Sequence, residues 1–290
     1  TLFPYDTDPS IGKPRSKGVE NGAQGFYDAA YSAKTDEPET KYVEFEKKFG
    51  EALGVQIIVQ DFVKQFNLKD KKVLEVGSGT GSLQSLVDDY TGLDITPSLA
   101  RRYKKKFVVG SATEMPFPDN SFDAIWSVWV LEHIPEPERA LAEMRRVLKP
   151  GGLLFLAPAW TCEPYAAHGY NIRPYSAFGL EGKWMKATIP TRRIARYYTQ
   201  IPIRFIRQMQ YKIGGAETRL HFTFLEPNYK DYWEPDSDAV VAIDSHEAAL
   251  WHQSRGDACL TCQGLQDEPG PVILRIQKPA AEQAAQTGSH

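Results

Sequence analysis

What this 290-residue chain lacks narrows its reading first. It has three cysteines, too few for a disulfide framework, and a domain of this length buries enough apolar surface to stand without one. Cys259 and Cys262 form a Cys-x-x-Cys pair with Cys162 far upstream. A zinc site wants a fourth ligand, for which His252 is only a loose candidate, so ordinary reduced thiols and no metal are expected. An excess of one charge is also missing: 34 Lys and Arg against 37 Asp and Glu leave a net charge of −3. That balance gives no overall basic field of the kind that draws a protein to nucleic acid or acidic membranes. No run approaches the about 18 to 20 apolar residues of a membrane span, and the opening Thr1 to Lys17 is polar rather than leader-like. Internal repeats are absent. The expectation is a cytoplasmic protein with no membrane span and no nucleic-acid partner.

What is present is a 42% hydrophobic chain, enough for one sizeable α/β domain with insertions. Tyr42, Phe45, Phe49 and Leu53 fall three or four apart and predict a helical segment over about 40–66. Val73 to Val76 is a short apolar run that stops at a glycine cluster, as a buried parallel strand does before its turn. Further strand-like runs end at Asp94, Gly110, Ser127 and Pro158, with helical stretches at 97–106 and 137–148 between them. Pro135 and Pro137 mark the start of the second of these helices, Leu141, Met144 and Leu148 line one face, and Lys149-Pro150-Gly151-Gly152 closes it. Strands alternating with helices indicate βαβ units and a parallel sheet. Residues 159–219, rich in aromatic and basic side chains, read as an inserted cap. Leu220 to Leu225 and Pro271 to Gln277 read as two late strands, and 279–290 as a disordered tail.

The most informative string is Glu75-Val76-Gly77-Ser78-Gly79-Thr80-Gly81, set between a strand and an expected helix. Glycines suit a tight turn with positive φ and let a ligand lie against bare backbone. Ser82 stands where a dinucleotide fingerprint has its third glycine, and no Gly-Lys-Ser/Thr ending follows for a P-loop. The string resembles motif I of class I S-adenosylmethionine-dependent methyltransferases, E-x-G-x-G-x-G. Asp94 then ends the second strand about 20 residues on, where an acid can accept hydrogen bonds from ribose hydroxyls. The run Gly110-Ser111-Ala112-Thr113 to Phe122-Asp123 is similar to the family's G-D-A-x-x-L-P-F-x-D-x-S-F-D, with Ser111 in place of the first acid. Val128 to Ile134 and Arg146 to Gly152 match the family segments after strand four and before strand five.

The resemblance covers about residues 70–158 and implies a Rossmann-like, seven-stranded, mostly parallel sheet with helices on both faces and an inserted cap. The division it suggests is an N-terminal lid and helices at 1–66, a cofactor-binding core at 67–158, the substrate cap at 159–219, C-terminal strands with an insertion at 220–278, and the tail. It implies S-adenosylmethionine as cofactor, with S-adenosylhomocysteine as product. The residues expected to hold it are Glu75, Gly77, Ser78, Gly79, Gly81, Asp94, Ile95, Ser111, Ala112, Thr113, Ser127, Val128 and Trp129, with Tyr27 and Tyr31 as an aromatic lid that packing alone would equally explain.

Methyl transfer from a sulfonium is an in-line displacement dominated by alignment, to which a base is an optional addition. His133, just after strand four, is the expected base for a hydroxyl acceptor, although the same residue could serve packing or cofactor contact. His221 and His246 are weaker alternatives. The acceptor site is expected in the cap, at Trp160, Tyr165, His168, Tyr175 and Trp184. The expected function is O-methylation of a small molecule, with N- or C-methylation, RNA methylation and a non-catalytic cofactor-binding scaffold as the alternatives. The basic run Arg101 to Lys106 favours RNA but is more simply a solvated face. Oligomeric state is left open.

Overall fold

A computed structural model describes residues 16–32, 40–262 and 273–280. The tail expected to be disordered lies, from residue 281 on, outside the described residues, as do positions 1–15 and the side chain of Phe45.

Three helices come first: α1 (Ser16–Ala30), α2 (Lys41–Ala52) and α3 (Val55–Gln65). The single helix expected over 40–66 is broken at Gly54, which takes φ +63°, a left-handed value that ends α2 and turns the chain. Strands β1 (Lys72–Val76), β2 (Asp89–Asp94), β3 (Lys106–Val109), β4 (Phe122–Val128) and β5 (Leu148–Ala157) follow, with α4 (Pro137–Val147) between the last two. Beyond them lie α5 (Leu180–Gly214), β6 (Phe222–Phe224), β7 (Val241–Ile243), α6 (Ser245–Gln253), β8 (Ala258–Cys259) and β9 (Leu274–Gln277).

The main sheet runs β3-β2-β1-β4-β5-β9-β8. Its first five strands are mutually parallel, and β9 is antiparallel to both β5 and β8. The strand order reverses between β1 and β4, which opens a crevice at their carboxyl ends, the place where open α/β sheets bind ligands.

Alternation along the strands fixes the two faces. Val73, Ala124, Trp126 and Phe155 pack with Val59, Phe62 and Val63 of α3. Leu74, Val76, Ile125, Leu154 and Leu156 pack on the other face with Leu141 and Met144 of α4 and Trp251 of α6. Phe62 and Trp126 are fully buried, and each such side chain contributes roughly 1.5–3 kcal/mol of hydrophobic stabilisation. Helix α4 has Pro137 in its first turn and buries Ala140, Leu141, Met144 and Val147, one apolar stripe of helical period.

Four expectations change. No helix follows the glycine turn: residues 77–88 are turns, tied by Gln84, whose side chain donates to Gly81 O and accepts from Lys104 N. The helix expected over 97–106 is a 3-10 segment, Pro97–Arg102, and the chain is extended again at Tyr103. The run 220–225 does not join the main sheet; β6 pairs antiparallel with β7 in a separate two-stranded sheet, because β9 occupies the edge of β5. Cys259 and Cys262 are not free thiols but bonded to each other, and Cys162 is free and buried.

Candidate functional site

A cleft of about 160 Å³ opens at the carboxyl ends of β1, β2 and β4. Its floor is the turn after β1. Gly77, at φ +69°, lies so close to Val130 that a β-carbon built there would stand 2.2 Å from a Val130 methyl, and only glycine permits that approach. The turn is held from behind by Tyr103, whose hydroxyl sits 2.7 Å from Ser78 Oγ, 2.8 Å from Ser78 O and 2.9 Å from Gly79 O. Gly92 in β2 leaves room for this buttress, since a β-carbon there would meet Ser78 Oγ at 2.7 Å and the Tyr103 ring at 2.8 Å. Helix-forming residues around Tyr103 hide this role in the sequence, and it explains why the 3-10 segment ends where it does.

Asp94 closes β2 at the cleft wall. Its Oδ2 accepts from Gly79 N and its Oδ1 from Thr96 N, both at 3.0 Å. Burial pushes its carboxyl above the ordinary value, against these backbone hydrogen bonds. The carboxylate is thus braced to the turn and keeps lone pairs for a diol. Ser111 lines the cleft, but its hydroxyl is 2.8 Å from Thr113 Oγ1 and accepts from Thr113 N.

Tyr27 of α1, Tyr31 just after it and Tyr42 of α2 roof the cleft, joined by Ala23. Arg101 Nη2 donates to Tyr31 O at 3.0 Å and so fastens the end of α1 to the sheet. At the far wall stand Val128, Trp129 and His133. Trp129 has φ +54°, a conformation costly for a side chain of its size and typical of functional turns; its ring lies 5.3 Å from that of Phe49.

His133 sits among acids. Its Nδ1 is 3.5 Å from Asp238 Oδ2 and its Nε2 is 3.9 Å from Glu132 Oε1. Burial alone would lower its pKa, but Asp238, Glu132 and Asp236 outweigh that and push it up to about 9. These acids favour the protonated ring. Glu132 is itself buried, which raises its carboxyl to about 7 against the pull of His133, and its Oε1 accepts from Ala159 N at 2.9 Å.

Of the residues expected to hold a cofactor, Tyr27, Tyr31, Gly77, Gly79, Asp94, Ile95, Ser111, Ala112, Val128 and Trp129 line the cleft. Glu75, Ser78, Gly81, Thr113 and Ser127 do not. Strand alternation puts Glu75 on the α3 face, where it is buried and accepts a hydrogen bond from Tyr90. Burial raises its pKa to about 8, although the Tyr90 bond works against that. Ser127 instead donates to Val76 O at 3.1 Å. Leu93, Val130, Ile134 and Pro135, apolar and so without a chemical signal in the sequence, complete the walls.

The expected acceptor residues Trp160, Tyr165, His168, Tyr175 and Trp184 are all absent from the lining, as are His221, His246 and every other residue of 159–219. The segment is drawn elsewhere by ion pairs, Arg204–Asp244 at 2.9 Å and Arg207–Glu247 at 3.0 Å, that fasten α5 beside α6. Trp184 is 60% exposed, with the Arg192 guanidinium 5.0 Å from its ring.

The cleft therefore offers bare backbone at Gly77 and Gly79, an anchored carboxylate one strand away, apolar walls between, and a histidine opposite. That set fits an amino-acid moiety, a ribose and a purine in one extended ligand.

Residues 74–156 match a family described as "Methyltransferase domain". The chain is 42% identical over 96 residues to a protein of Renibacterium salmoninarum named demethylmenaquinone methyltransferase, covering 30% of this chain and 40% of that one. It is 31% identical over 165 residues to one of Oryza sativa subsp. japonica named "Probable tocopherol O-methyltransferase, chloroplastic", covering 51% and 44%. The chain thus spans less than half the length of these curated relatives. Among solved structures, a Burkholderia thailandensis 1,6-didemethyltoxoflavin-N1-methyltransferase aligns over 90% of this chain and 89% of its own at 11% identity, with a TM-score of 0.48.

Proposed function

We propose that this chain, which carries a methyltransferase domain of the class I, S-adenosylmethionine-dependent kind over residues 74–156, moves a methyl group from that cofactor to the hydroxyl oxygen of a small molecule. The observation that supports this reading above others is that the glycine turn, Asp94 and His133, contributed by three different strand ends, open onto one cleft. The rice relative's name specifies O-methylation, while the names of other relatives specify C-methylation; the oxygen assignment rests on a histidine standing at the cleft wall, where a hydroxyl acceptor would need a base.

The bound cofactor supplies a methyl group on a sulfonium that leaves as a neutral thioether, so no leaving group needs a proton. Gly77 and Gly79, without side chains, would leave room for the amino-acid end, and Asp94 would accept from the ribose hydroxyls. Tyr27, Tyr31 and Tyr42 close over the ligand and exclude water. Alignment of this kind accounts for about 7–11 kcal/mol of barrier, more than the 10²–10⁴ in rate that a base adds. His133 takes the acceptor's proton only as neutral imidazole. A cationic sulfonium held in the same cleft would disfavour a second positive charge there and so would favour neutral His133.

Calorimetry tests the reading. Heat is expected with S-adenosylmethionine and S-adenosylhomocysteine, followed by transfer of labelled methyl to a hydroxylated acceptor from a panel that also holds amines. Tight binding of NAD or ATP, with none of either methyl ligand, would overturn it; methylation of amines alone would overturn the oxygen assignment.

A further inference from the structure

Helix α5 turns its apolar side outward. Leu180, Trp184, Ile194, Tyr198, Ile201 and Phe205 follow one another at helical spacing, and every one is more than half exposed. The opposite side of the helix faces the protein: Ile189 is buried there, and Arg193, Arg204 and Arg207 bond to Glu163, Asp244 and Glu247. The apolar stripe is therefore not a core face. With 35 residues the helix is about 50 Å long; its exposed apolar side chains stand at its start, Leu180 and Trp184, and again from Ile194 to Phe205, and exposed apolar groups of this size on one side mark an interaction surface.

Charge says what covers it. The helix holds eight Lys and Arg against one acid, Glu181, and no Asp or Glu occurs from residue 182 to 216. With three arginines engaged on the protein side and Arg196 two turns from Ile189 on that same side, Lys183, Arg192 and Lys212 remain along the flanks. A second copy of α5 laid on the first would set cations against cations with no acid to answer them. An anionic lipid surface supplies the opposite charge, and Trp and Tyr are the side chains suited to headgroup depth. No helix among the described residues is long and apolar enough to cross a membrane, so α5 would lie flat. The net charge of −3 over the whole chain conceals this local excess.

We propose that α5 docks the protein on an anionic phospholipid surface, with its apolar stripe at the boundary between headgroups and acyl chains and its cations among the phosphates. The full chain is floated with vesicles of phosphatidylcholine mixed with phosphatidylglycerol, and with pure phosphatidylcholine. Binding is expected to the mixed vesicles, weaker by about tenfold or more to the neutral ones and on raising salt. It should be lost in the Ile201→Glu/Phe205→Glu variant, whose exposed positions leave the thermal midpoint in place. Equal binding of that variant, or binding to neither vesicle, overturns the proposal. So does a dimer in sedimentation equilibrium that the same two substitutions dissociate while vesicle binding is absent, since the stripe would then be covered by a second copy.

Discussion

The phenol of Tyr27 donates a hydrogen bond to Asp238 Oδ2 at 2.7 Å, across 211 positions of sequence. The same oxygen lies 3.5 Å from His133 Nδ1, so one buried carboxylate fastens the roof of the cleft and holds the charge on its far wall. Replacing it by Asp238→Asn removes the leading opponent of His133 deprotonation. The His133 pKa, followed by NMR titration of its ring protons, is expected to fall from about 9 towards its ordinary 6.5. Tyr27→Phe should leave that fall unmade and instead weaken cofactor binding by about tenfold or more, the size of one lost hydrogen bond to a charged group at about 1.5–3 kcal/mol. A His133 titration unmoved by Asp238→Asn would show that Glu132 and Asp236 suffice.

Asp94→Ala should weaken S-adenosylhomocysteine binding by roughly 100-fold or more, since hydrogen bonds from two ribose hydroxyls to a carboxylate are lost at about 1.5–3 kcal/mol each. The sheet does not depend on that carboxylate, so far-UV circular dichroism should stay unchanged. Wild-type affinity in calorimetry would remove Asp94 as the ribose ligand.

Stability should fall as pH rises across the range in which Glu75 titrates. Its pKa is raised from 4.5 to about 8 in the folded chain, so the folded state holds a proton that the unfolded state has already released. The associated stability is fully present below about 4.5 and is lost as pH passes through about 8, at about 1.4 kcal/mol per pH unit in between. Glu75→Gln removes the titration and can still accept from Tyr90. Urea denaturation of the variant is expected to show a flatter pH profile and greater stability than wild type at pH 8; an identical profile would mean that Glu75 is not the proton site.

Gly77→Ala should be destabilising by roughly 1–3 kcal/mol, from overpacking against Val130 together with a left-handed backbone. Val130→Ala in the same chain should recover part of that loss, because it removes the methyls that the new β-carbon meets. Strictly additive effects in a double-mutant cycle would refute the contact.

Much of residues 67–158 was legible because its signals are local. Val73 to Val76 and the glycine turn announce a strand and its bend, and Pro137 with Leu141 and Met144 announce α4. Glu75 shows the limit: its place in the motif suggests a ligand, whereas strand alternation sends its side chain to the α3 face. Tyr103 shows the converse, an aromatic in a helical-looking run that proves to be the brace of the turn.

The sequence by itself determined the strands from β1 to β5 in their order, helix α4, the glycine turn and the acid at the end of β2, since spacing and residue type act over a few positions. Only the tertiary structure decided that Asp238 would stand against His133, that no residue of 159–219 would line the cleft, and that α5 would face outward. Those outcomes rest on contacts between residues far apart in the chain, where packing and buried charge, rather than local pattern, select the neighbours.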